Sequence, residues 1–282
     1  MKNPFKEVYE QCNTLKEPIN FPRMIDIELT NACNMQCVFC PTGTGNFTRK
    51  TGFMAKRMIY NILGQIEVLK TPVRFVRWGE PTLWPELNDV LNTCRSMGIL
   101  THINTNGITP FLNWAVDSVK FSLQELSSAG YLKYRRLERM SYVLMQARQT
   151  KEIGDQTGYP YVAISTTTKD SAPAEDIDRF LTRAEAHQVH VGRTILPPYE
   201  GMELNRDCHE VFNKLSINWD GTVSICCRDY DKKMVVGDLQ NETIMEIWNG
   251  PLVALWQKKI TSKDYSHPVC RDCYKYIERE GI

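Results

Sequence analysis

Three cysteines lie close together near the start of the chain, in the segment CNMQCVFC. Cys33, Cys37 and Cys40 are separated by three and then by two residues. Cysteine thiolates bind zinc and iron–sulfur clusters, and a closed structural zinc site or a closed [4Fe–4S] cube takes four ligands. This loop supplies only three. A cube held by three cysteines leaves one iron open to another ligand, and an open metal position is where chemistry takes place.

The same loop has two other interpretations. A zinc knuckle would complete its tetrahedral site with a residue from elsewhere in the chain, or the cysteines would be buried as free thiols. The clustering of the ten cysteines favours metal centres, because clustered cysteines in a reducing compartment bind metal more often than they form disulfides. Three fall at 33–40, two at 226–227 and two at 270–273, while Cys12, Cys94 and Cys208 stand apart.

The composition is that of an ordinary globular protein. Of the 282 residues, 42% are hydrophobic and 24% are charged, and the formal net charge is +1. The basic surplus of a nucleic-acid-binding protein is therefore absent. The N-terminal segment lacks the apolar core of a signal peptide, and no run of 18 apolar residues is present to cross a membrane. We expect a cytoplasmic protein that binds neither nucleic acids nor membranes.

Short apolar runs alternate with helical stretches over residues 24–196. The sequence predicts strands at 24–29, 73–78, 99–106, 118–123, 161–167 and 189–196, with helices at 56–69, 86–97, 125–152 and 174–187. This order is typical of βαβ units with a parallel sheet. Six units predict an α/β fold, specifically a partial (β/α)6 TIM-like barrel. Ligands of such folds gather at the carboxyl ends of the strands, where the three-cysteine loop follows the first strand.

The character of the sequence changes after residue 200. Two apolar runs over 214–226 flank Asp220 and Gly221, and this pattern is a strong signal for a β-hairpin. A helical segment and the pair of cysteines at 270–273 follow. We therefore divide the chain into an N-terminal extension (1–23), a barrel core (24–200) and a small, cysteine-rich C-terminal domain (201–282).

The spacing CxxxCxxC in CNMQCVFC resembles that of the radical S-adenosylmethionine (SAM) superfamily. The resemblance implies a [4Fe–4S] cluster whose fourth iron is bound by the amino and carboxylate groups of SAM. It further implies that one electron, delivered by a flavodoxin or ferredoxin-type reductant, cleaves SAM to methionine and a 5′-deoxyadenosyl radical. That radical takes hydrogen from an unactivated carbon, while the protein orients the substrate and shields the radical.

Further segments match motifs of the same superfamily on successive predicted strands. The matches include RWGEPTLWPEL at 77–87, which resembles the GGEP motif with a tryptophan in place of the first glycine, and then NTNG, KFSLQ and ISTT. The resemblance covers roughly residues 24–196. It implies that SAM is bound by ten residues: Phe39, Trp78, Gly79, Glu80, Pro81, Thr105, Asn106, Ser122, Ser165 and Arg193.

The C-terminal cysteines resemble the auxiliary-cluster domain of the SPASM/twitch group. The further cysteines of a full SPASM domain are absent, so the shorter twitch form with one auxiliary cluster fits better. The spacing resembles that of 2-deoxy-scyllo-inosamine dehydrogenase-like enzymes. The resemblance implies a second, auxiliary [4Fe–4S] cluster on Cys208, Cys226, Cys270 and Cys273, with Cys227 as the alternative to its neighbour. A zinc ribbon is the competing interpretation, because CRDC is a common zinc half-site.

An auxiliary cube with all four irons ligated has no place for a substrate, but it is able to move an electron. The resemblance therefore predicts a radical SAM oxidoreductase that oxidises an alcohol of a sugar or aminocyclitol-like small molecule. A redox-neutral epimerase or mutase would instead need a hydrogen donor such as a cysteine thiol. A peptide maturase is a third possibility, although only 32 residues precede Cys33 and many maturases carry a peptide-recognition domain there. A metal-binding module without catalysis is the fourth.

Overall fold

Nine strands form the main sheet of the protein in the described residues, and six consecutive strands of the barrel lie side by side in it. A computed structural model describes residues 1–110, 115–166, 186–191 and 202–276. In chain order the six barrel strands are β1 (Met24–Ile27), β2 (Val73–Phe75), β3 (Thr101–Thr105), β4 (Ser118–Gln124), β5 (Tyr161–Thr166) and β6 (Gln188–Val191). Each strand pairs in parallel with the next. The predicted α/β fold class and its partial (β/α)6 barrel are confirmed, and each predicted strand has a counterpart.

Helices connect these strands. They are α1 (Lys6–Thr14), α2 (Pro41–Thr44), α3 (Lys56–Ile66), α4 (Leu87–Ser96), α5 (Ser128–Arg135) and α6 (Met140–Thr157). The helical stretch predicted over 125–152 contains two helices, α5 and α6. Arg136 ends α5 in the left-handed conformation, with φ of 58°, and Met140 begins α6. Most of the helix predicted at 174–187 lies outside the described residues.

The two faces of the sheet differ in polarity. Residues such as Ile25, Phe75 and Val119 are fully buried in the main apolar core, together with the apolar side chains of α3 and α4. Side chains alternate between the faces of a strand, so the residues between them face the inside of the partial barrel. Asp26, Arg74, His102 and Ser118 lie next to one another in register there. The inner face is therefore polar.

The N-terminal extension packs below this inner face. Phe5 and Cys12 are fully buried with Met24, which begins β1. The ring of Phe5 meets His102 edge-on, with 5.6 Å between centroids, and the guanidinium of Arg74 lies 5.6 Å from the centroid of Tyr9. Helix α1 therefore covers the amino-terminal end of the barrel interior.

The C-terminal region continues the same sheet. Strand β8 (Lys214–Ile217) pairs in parallel with β1, and β9 (Thr222–Ser224) and β10 (Val235–Asp238) add antiparallel strands beyond it. The predicted hairpin is confirmed, and Gly221 in its turn has φ of 91°. The predicted boundary at 200/201 lies outside the described residues, so the three-part division of the chain stays a prediction.

The remaining elements surround this hairpin. β7 (Met202–Leu204) pairs with β11 (Tyr274–Tyr276) in a separate two-stranded sheet. The helices are α7 (Glu210–Asn213), α8 (Ile244–Trp248), α9 (Pro251–Thr261) and α10 (Pro268–Arg271). Within the described ranges, no helix has both the length and the apolar character needed to cross a bilayer.

Candidate active site

The three-cysteine loop follows β1 at the carboxyl end of the sheet, as predicted. Cys37 is 6% exposed, and Cys33 and Cys40 are partly buried. Burial raises the pKa of Cys33 to about 11. Burial also raises the pKa of Cys37, although the neighbouring Arg135 acts in the opposite direction. These thiols hold their protons until a metal displaces them, because metal ligation requires the thiolate.

The loop offers three thiols, the ligand type that both zinc ions and iron–sulfur clusters take. A zinc knuckle would bind all of its ligands to one atom, whereas an iron–sulfur cube takes one thiolate at each iron. Within residues 1–110, 115–166, 186–191 and 202–276, no three His, Cys, Asp or Glu side chains are grouped so as to hold a metal ion.

Gly79 allows the loop after β2 to touch the loop after β1. A Cβ atom at this position would lie 2.1 Å from the carbonyl oxygen of Thr30 and 2.7 Å from that of Ala32. The next amide, that of Glu80, donates to the Ala32 oxygen at 2.8 Å. The GEP segment is thus fixed against the residues that lead into Cys33, and only glycine fits this approach.

Gly79→Ala is expected to lower the free energy of unfolding by about 1–3 kcal/mol or more, because backbone must move to admit the methyl group. Gly64→Ala is the matched control, since a Cβ at that position of α3 meets nothing within 4 Å. Alanine there should stabilise the helix by about 0.5–1 kcal/mol. Anaerobic thermal unfolding of both variants measures the contrast. Equal melting temperatures would contradict the close approach.

Glu80 connects the ends of β2 and β3. Its carboxylate is 3% exposed. Oε1 accepts hydrogen bonds from the amide and hydroxyl of Thr82 at 3.2 and 2.8 Å and from the hydroxyl of Thr105 at 2.8 Å. Oε2 accepts from the amide of Asn106 at 2.7 Å. A carboxylate oxygen has two lone pairs, so Oε2 keeps an acceptor position for an amine.

Asn106 brings this carboxylate together with the cysteine loop. Its side-chain amide donates to Oδ1 of Asn34 at 2.7 Å and points to Sγ of Cys33 at 3.9 Å. Three successive βα loops therefore meet in one hydrogen-bonded set, in which Cys33, Glu80 and Asn106 are neighbours. Burial raises the pKa of Glu80, while its hydrogen bonds act against that rise.

The other predicted SAM-binding residues that the structure describes lie on strands β4 and β5, in the cysteine loop and after β2. Ser122 and Ser165 are neighbours in register on β4 and β5. Phe39 is partly buried within the cysteine loop, and Pro81 is buried at the start of a 3₁₀ turn. Arg193 lies outside the described residues.

The side chain of Trp78 is part of an aromatic cluster. Its ring meets Phe47 and Tyr230 edge-on, at centroid distances of 6.4 and 5.6 Å. Its carbonyl oxygen accepts a hydrogen bond from the hydroxyl of Thr42. Tyr230 belongs to the C-terminal region, four residues after Cys226. Tryptophan is accommodated in the glycine position because its ring points towards this region.

Sequence analysis missed the ion pair between Glu28 and Arg49. Two hydrogen bonds of 2.7 and 2.8 Å join the guanidinium to the carboxylate, and both side chains are at most 4% exposed. Arg49 also donates to Asn218 at 3.2 Å in the C-terminal hairpin. Glu28 directly follows β1, so an acidic residue at the end of an apolar strand was the available signal. The pair fixes the segment that follows the cysteine loop.

The C-terminal cysteines come from three segments, around residues 208, 226 and 270–273. Asn205 donates through its backbone amide to the Cys273 oxygen at 2.7 Å, and its side-chain amide points to Sγ of Cys273 at 3.8 Å. Arg206 donates to the Cys270 oxygen at 3.1 Å. Burial raises the pKa of Cys208 to about 12, and the nearby Cys273 adds to that rise.

Cys226 and Cys227 are in contact with each other. The hydrogen bond between the two thiols, together with burial, raises the pKa of Cys226 well above its ordinary value. Both residues are partly exposed. The choice between them as a ligand therefore stays open.

Comparison with known protein families agrees with this site. The profile described as the radical SAM superfamily matches residues 27–171, more than half of the chain. The chain belongs to the radical SAM superfamily. A second profile, described as the SPASM iron–sulfur cluster-binding domain, matches residues 208–274. The family resemblance of the sequence is confirmed, and with it the coarse assignment of SAM and [4Fe–4S] clusters as cofactors of a radical SAM enzyme.

Several curated proteins are similar to this radical SAM chain. The tungsten-containing aldehyde ferredoxin oxidoreductase cofactor-modifying protein of Pyrococcus furiosus is 23% identical, over 88% of this chain and 86% of its own. The mycofactocin maturase MftC of Mycobacterium tuberculosis is 26% identical over 108 residues, which cover 38% of this chain and 26% of the maturase.

Solved structures share the fold. BtrN in complex with AdoMet and 2-DOIA has a TM-score of 0.58 at 18% identity, covering 91% of this chain and 94% of BtrN. Streptococcus suis SuiB bound to S-adenosylmethionine has a TM-score of 0.66 at 15% identity, covering 91% and 71%. Native anSMEcpe with bound AdoMet has a TM-score of 0.62 at 15% identity, covering 89% and 86%.

Proposed function

We propose that Cys33, Cys37 and Cys40 hold the cluster that binds SAM, and that Cys208, Cys226, Cys270 and Cys273 hold one auxiliary [4Fe–4S] cluster. The donor chemistry supports both sets, because every member is a thiol outside any disulfide. Cys33 interacts with Cys37 and Cys40, and Cys273 interacts with Cys208 and Cys270. The C-terminal set offers one thiolate to each iron of a cube. We include Cys227 as the alternative to Cys226.

The residues around the cysteine loop have distinct tasks in this proposal. When bound, the reduced cluster and SAM together supply a 5′-deoxyadenosyl radical. Oε2 of Glu80 accepts a hydrogen bond from the SAM amino group, and Gly79 lets the backbone approach. Asn106 positions Cys33 through the contact of its amide with the sulfur. The remaining predicted contacts are assigned to Phe39, Trp78, Pro81, Thr105, Ser122, Ser165 and Arg193.

The proposed reaction is oxidation of an alcohol of a sugar or aminocyclitol-like molecule. In such an oxidation the substrate carbon would lose a hydrogen atom to the 5′-deoxyadenosyl radical and its hydroxyl would lose a proton. The auxiliary cluster, held by the C-terminal cysteines, would supply the acceptor for the one further electron whose loss leaves a carbonyl. The observation that carries this proposal is the presence of the free cysteines Cys208, Cys226, Cys270 and Cys273 within the SPASM match. A cube bound by four protein thiolates would have no open position, and its remaining use would be electron transfer. The shared fold with BtrN, which has been solved in complex with AdoMet and 2-DOIA, supports a small-molecule substrate.

We also propose a redox partner and a cellular location for the enzyme. A flavodoxin or ferredoxin-type protein supplies the first electron. All ten cysteines are free, which supports a reducing, cytoplasmic setting. Neither nucleic acid nor membrane is part of the proposed function.

Paired replacement of Cys270 and Cys273 by alanine is expected to lower the iron content from about eight to about four atoms per chain. The ratio of oxidised product to 5′-deoxyadenosine should fall at least about tenfold, because the substrate radical has lost its electron acceptor. The assay uses the anaerobically reconstituted enzyme with the metabolite pool of a strain that lacks it, and mass spectrometry detects a product two hydrogens lighter than its precursor.

Cys94→Ala is the control, since Cys94 is buried in α4 away from both groups of cysteines. A product of the same mass as its precursor would refute the oxidation and identify an epimerase or mutase. Retention of about eight irons by the double variant would refute the auxiliary ligand set.

Peptide modification is a second candidate function. The similarity to a mycofactocin maturase and the shared fold with SuiB, which has also been solved bound to precursor peptide SuiA, favour it. Separation of the metabolite pool by size discriminates between the two. If the product is found only in the peptide fraction, the substrate is a peptide and the small-molecule proposal is refuted.

A further inference from the structure

Lys120 lies on the inner face of the barrel, in the middle of the sheet. Its neighbours along β4, Val119 and Phe121, are buried in the main apolar core on the outer face. Because successive side chains of a strand point to opposite faces of the sheet, Lys120 and Ser122 face the interior of the barrel. Both residues are partly exposed. β4 is flanked by β3 and β5, so this exposure requires open space inside the barrel.

The positive charge of Lys120 is not paired within the described part of the chain, where it makes no hydrogen bond and no ion pair. The charges that act on it are those of Arg74 and Asp26. Both carboxylate oxygens of Asp26 accept hydrogen bonds from Arg74, at 2.6 and 2.7 Å. Burial, reinforced by the charge of Arg74, lowers the pKa of Lys120 to about 8. An isolated, largely buried ammonium group is costly unless an anion pairs with it.

One further donor faces the same space. Asn104 lies opposite Lys120 in the β3–β4 register, and its Oδ1 is hydrogen-bonded to the ring of His102 at 2.8 Å. This leaves the Asn104 amide nitrogen without a partner among the described residues. Ser122, which the proposed function assigns to SAM, lies one pleat nearer the carboxyl edge, next to Ser165. The two groups, here called the inner-face donors, are Asn104 and Lys120.

The position of the inner-face donors places them along the path of a substrate. On one side, His102 and Phe5 close the amino-terminal end of the interior. On the other side, the carboxyl edge carries the cysteine loop and Glu80. A molecule that reaches from this edge past the SAM site into the barrel therefore meets an ammonium and an amide group.

We infer that Lys120, with Asn104, forms a subsite for an anionic oxygen group of the substrate, either a carboxylate or a phosphate. The substrate class is then a hydroxylated acid or a phosphorylated hydroxy compound. This inference rests on the proposed function, because it assigns the subsite to the molecule that the enzyme oxidises. It narrows the substrate class without depending on the outcome of the oxidation.

Competitive amine labelling of the reconstituted, SAM-loaded enzyme tests the subsite. Acetic anhydride is applied at pH 8 in the presence of inorganic phosphate, acetate or glucose, with sodium chloride at matched ionic strength. Labelling of Lys120 should fall by about tenfold at an anion concentration ten times the dissociation constant. The exposed Lys133 and Lys258 serve as internal controls and should not change. Protection by phosphate alone, or by acetate alone, identifies the group.

Two results would overturn the subsite. One is a Lys120 labelling rate that neither phosphate nor acetate lowers below its rate in chloride. The other is the absence of any labelling, which would mean that the interior is closed. Protection by glucose to the same extent as by the anions would equally refute an anionic ligand.

Thermal unfolding of variants gives a second measurement. The protective anion should raise the melting temperature of the wild type and of Lys258→Met, but not that of Lys120→Met. Lys120→Arg should recover part of the shift, because it restores the charge. The two proposals can fail independently. A product that is an isomer of its precursor would refute the oxidation but not the anion subsite. Labelling of Lys120 that no anion slows would refute the subsite but not the oxidation.

Discussion

Cys37→Ala abolishes the reductive cleavage of SAM, reducing 5′-deoxyadenosine formation to the level of a protein-free reaction. A cube held by two thiolates loses the geometry that presents one open iron, so the fall should exceed about a thousandfold, comparable to the loss of a central catalytic group. The iron content should drop by about four atoms per chain. Anaerobic reconstitution with dithionite and SAM, followed by chromatography of the nucleoside, measures both.

Cys12→Ala is the matched control for this prediction. Cys12 is fully buried, but it lies in α1 with Phe5 and Met24, remote in sequence from both groups of cysteines. This variant should keep its iron and its SAM cleavage. Persistent nucleoside formation by the Cys37 variant would refute the assignment of the loop, whatever the behaviour of the C-terminal cysteines.

Glu28→Gln is expected to lower the free energy of unfolding by about 3–5 kcal/mol, because it leaves the Arg49 charge buried without its partner. The carboxylate accepts two hydrogen bonds from the guanidinium, and an amide replaces only one acceptor oxygen. The melting temperature of the reconstituted protein should fall by about 6 °C or more. Anaerobic calorimetry of the variant and the wild type measures the change.

A double variant separates the charge from the packing. Glu28→Gln combined with Arg49→Met removes the unpaired cation and keeps an apolar chain of similar length beside Phe47. Much of the lost stability should return, since replacing both partners of a buried ion pair is often neutral. If the double variant is as unstable as the single one, the ion pair is not the cause.

The strands of the barrel were predictable because their signal is local. Each apolar run is bounded by polar residues and separated from the next by a helical pattern, and its position along the chain fixes its place in the parallel sheet. The cysteine loop was predictable for the same reason, since it directly follows β1. The break between α5 and α6 was missed because Arg136 adopts a left-handed conformation that its residue type does not indicate.

Other features depend on contacts between residues that are distant in the sequence. The direction of the Trp78 ring is decided by Phe47 and Tyr230. The ion pair of Glu28 depends on a loop 21 residues away. The sequence around Lys120 has the same alternating pattern as that around a lysine on a solvent-exposed sheet, and only the fold shows that this lysine faces the enclosed interior. Contacts between distant residues cannot be predicted from the local periodicity of the sequence.

The pairing of β8 with β1 has a consequence for any shortened form of the protein. β1 is buried along its whole length, and in the full chain both of its flanks are occupied, by β2 and by β8. Removal of everything after residue 201 would turn β1 into an edge strand whose backbone amides and carbonyls lack partners beside an apolar surface. Exposed edge strands pair with strands of other molecules. The barrel without its C-terminal hairpin would therefore tend to aggregate by strand pairing.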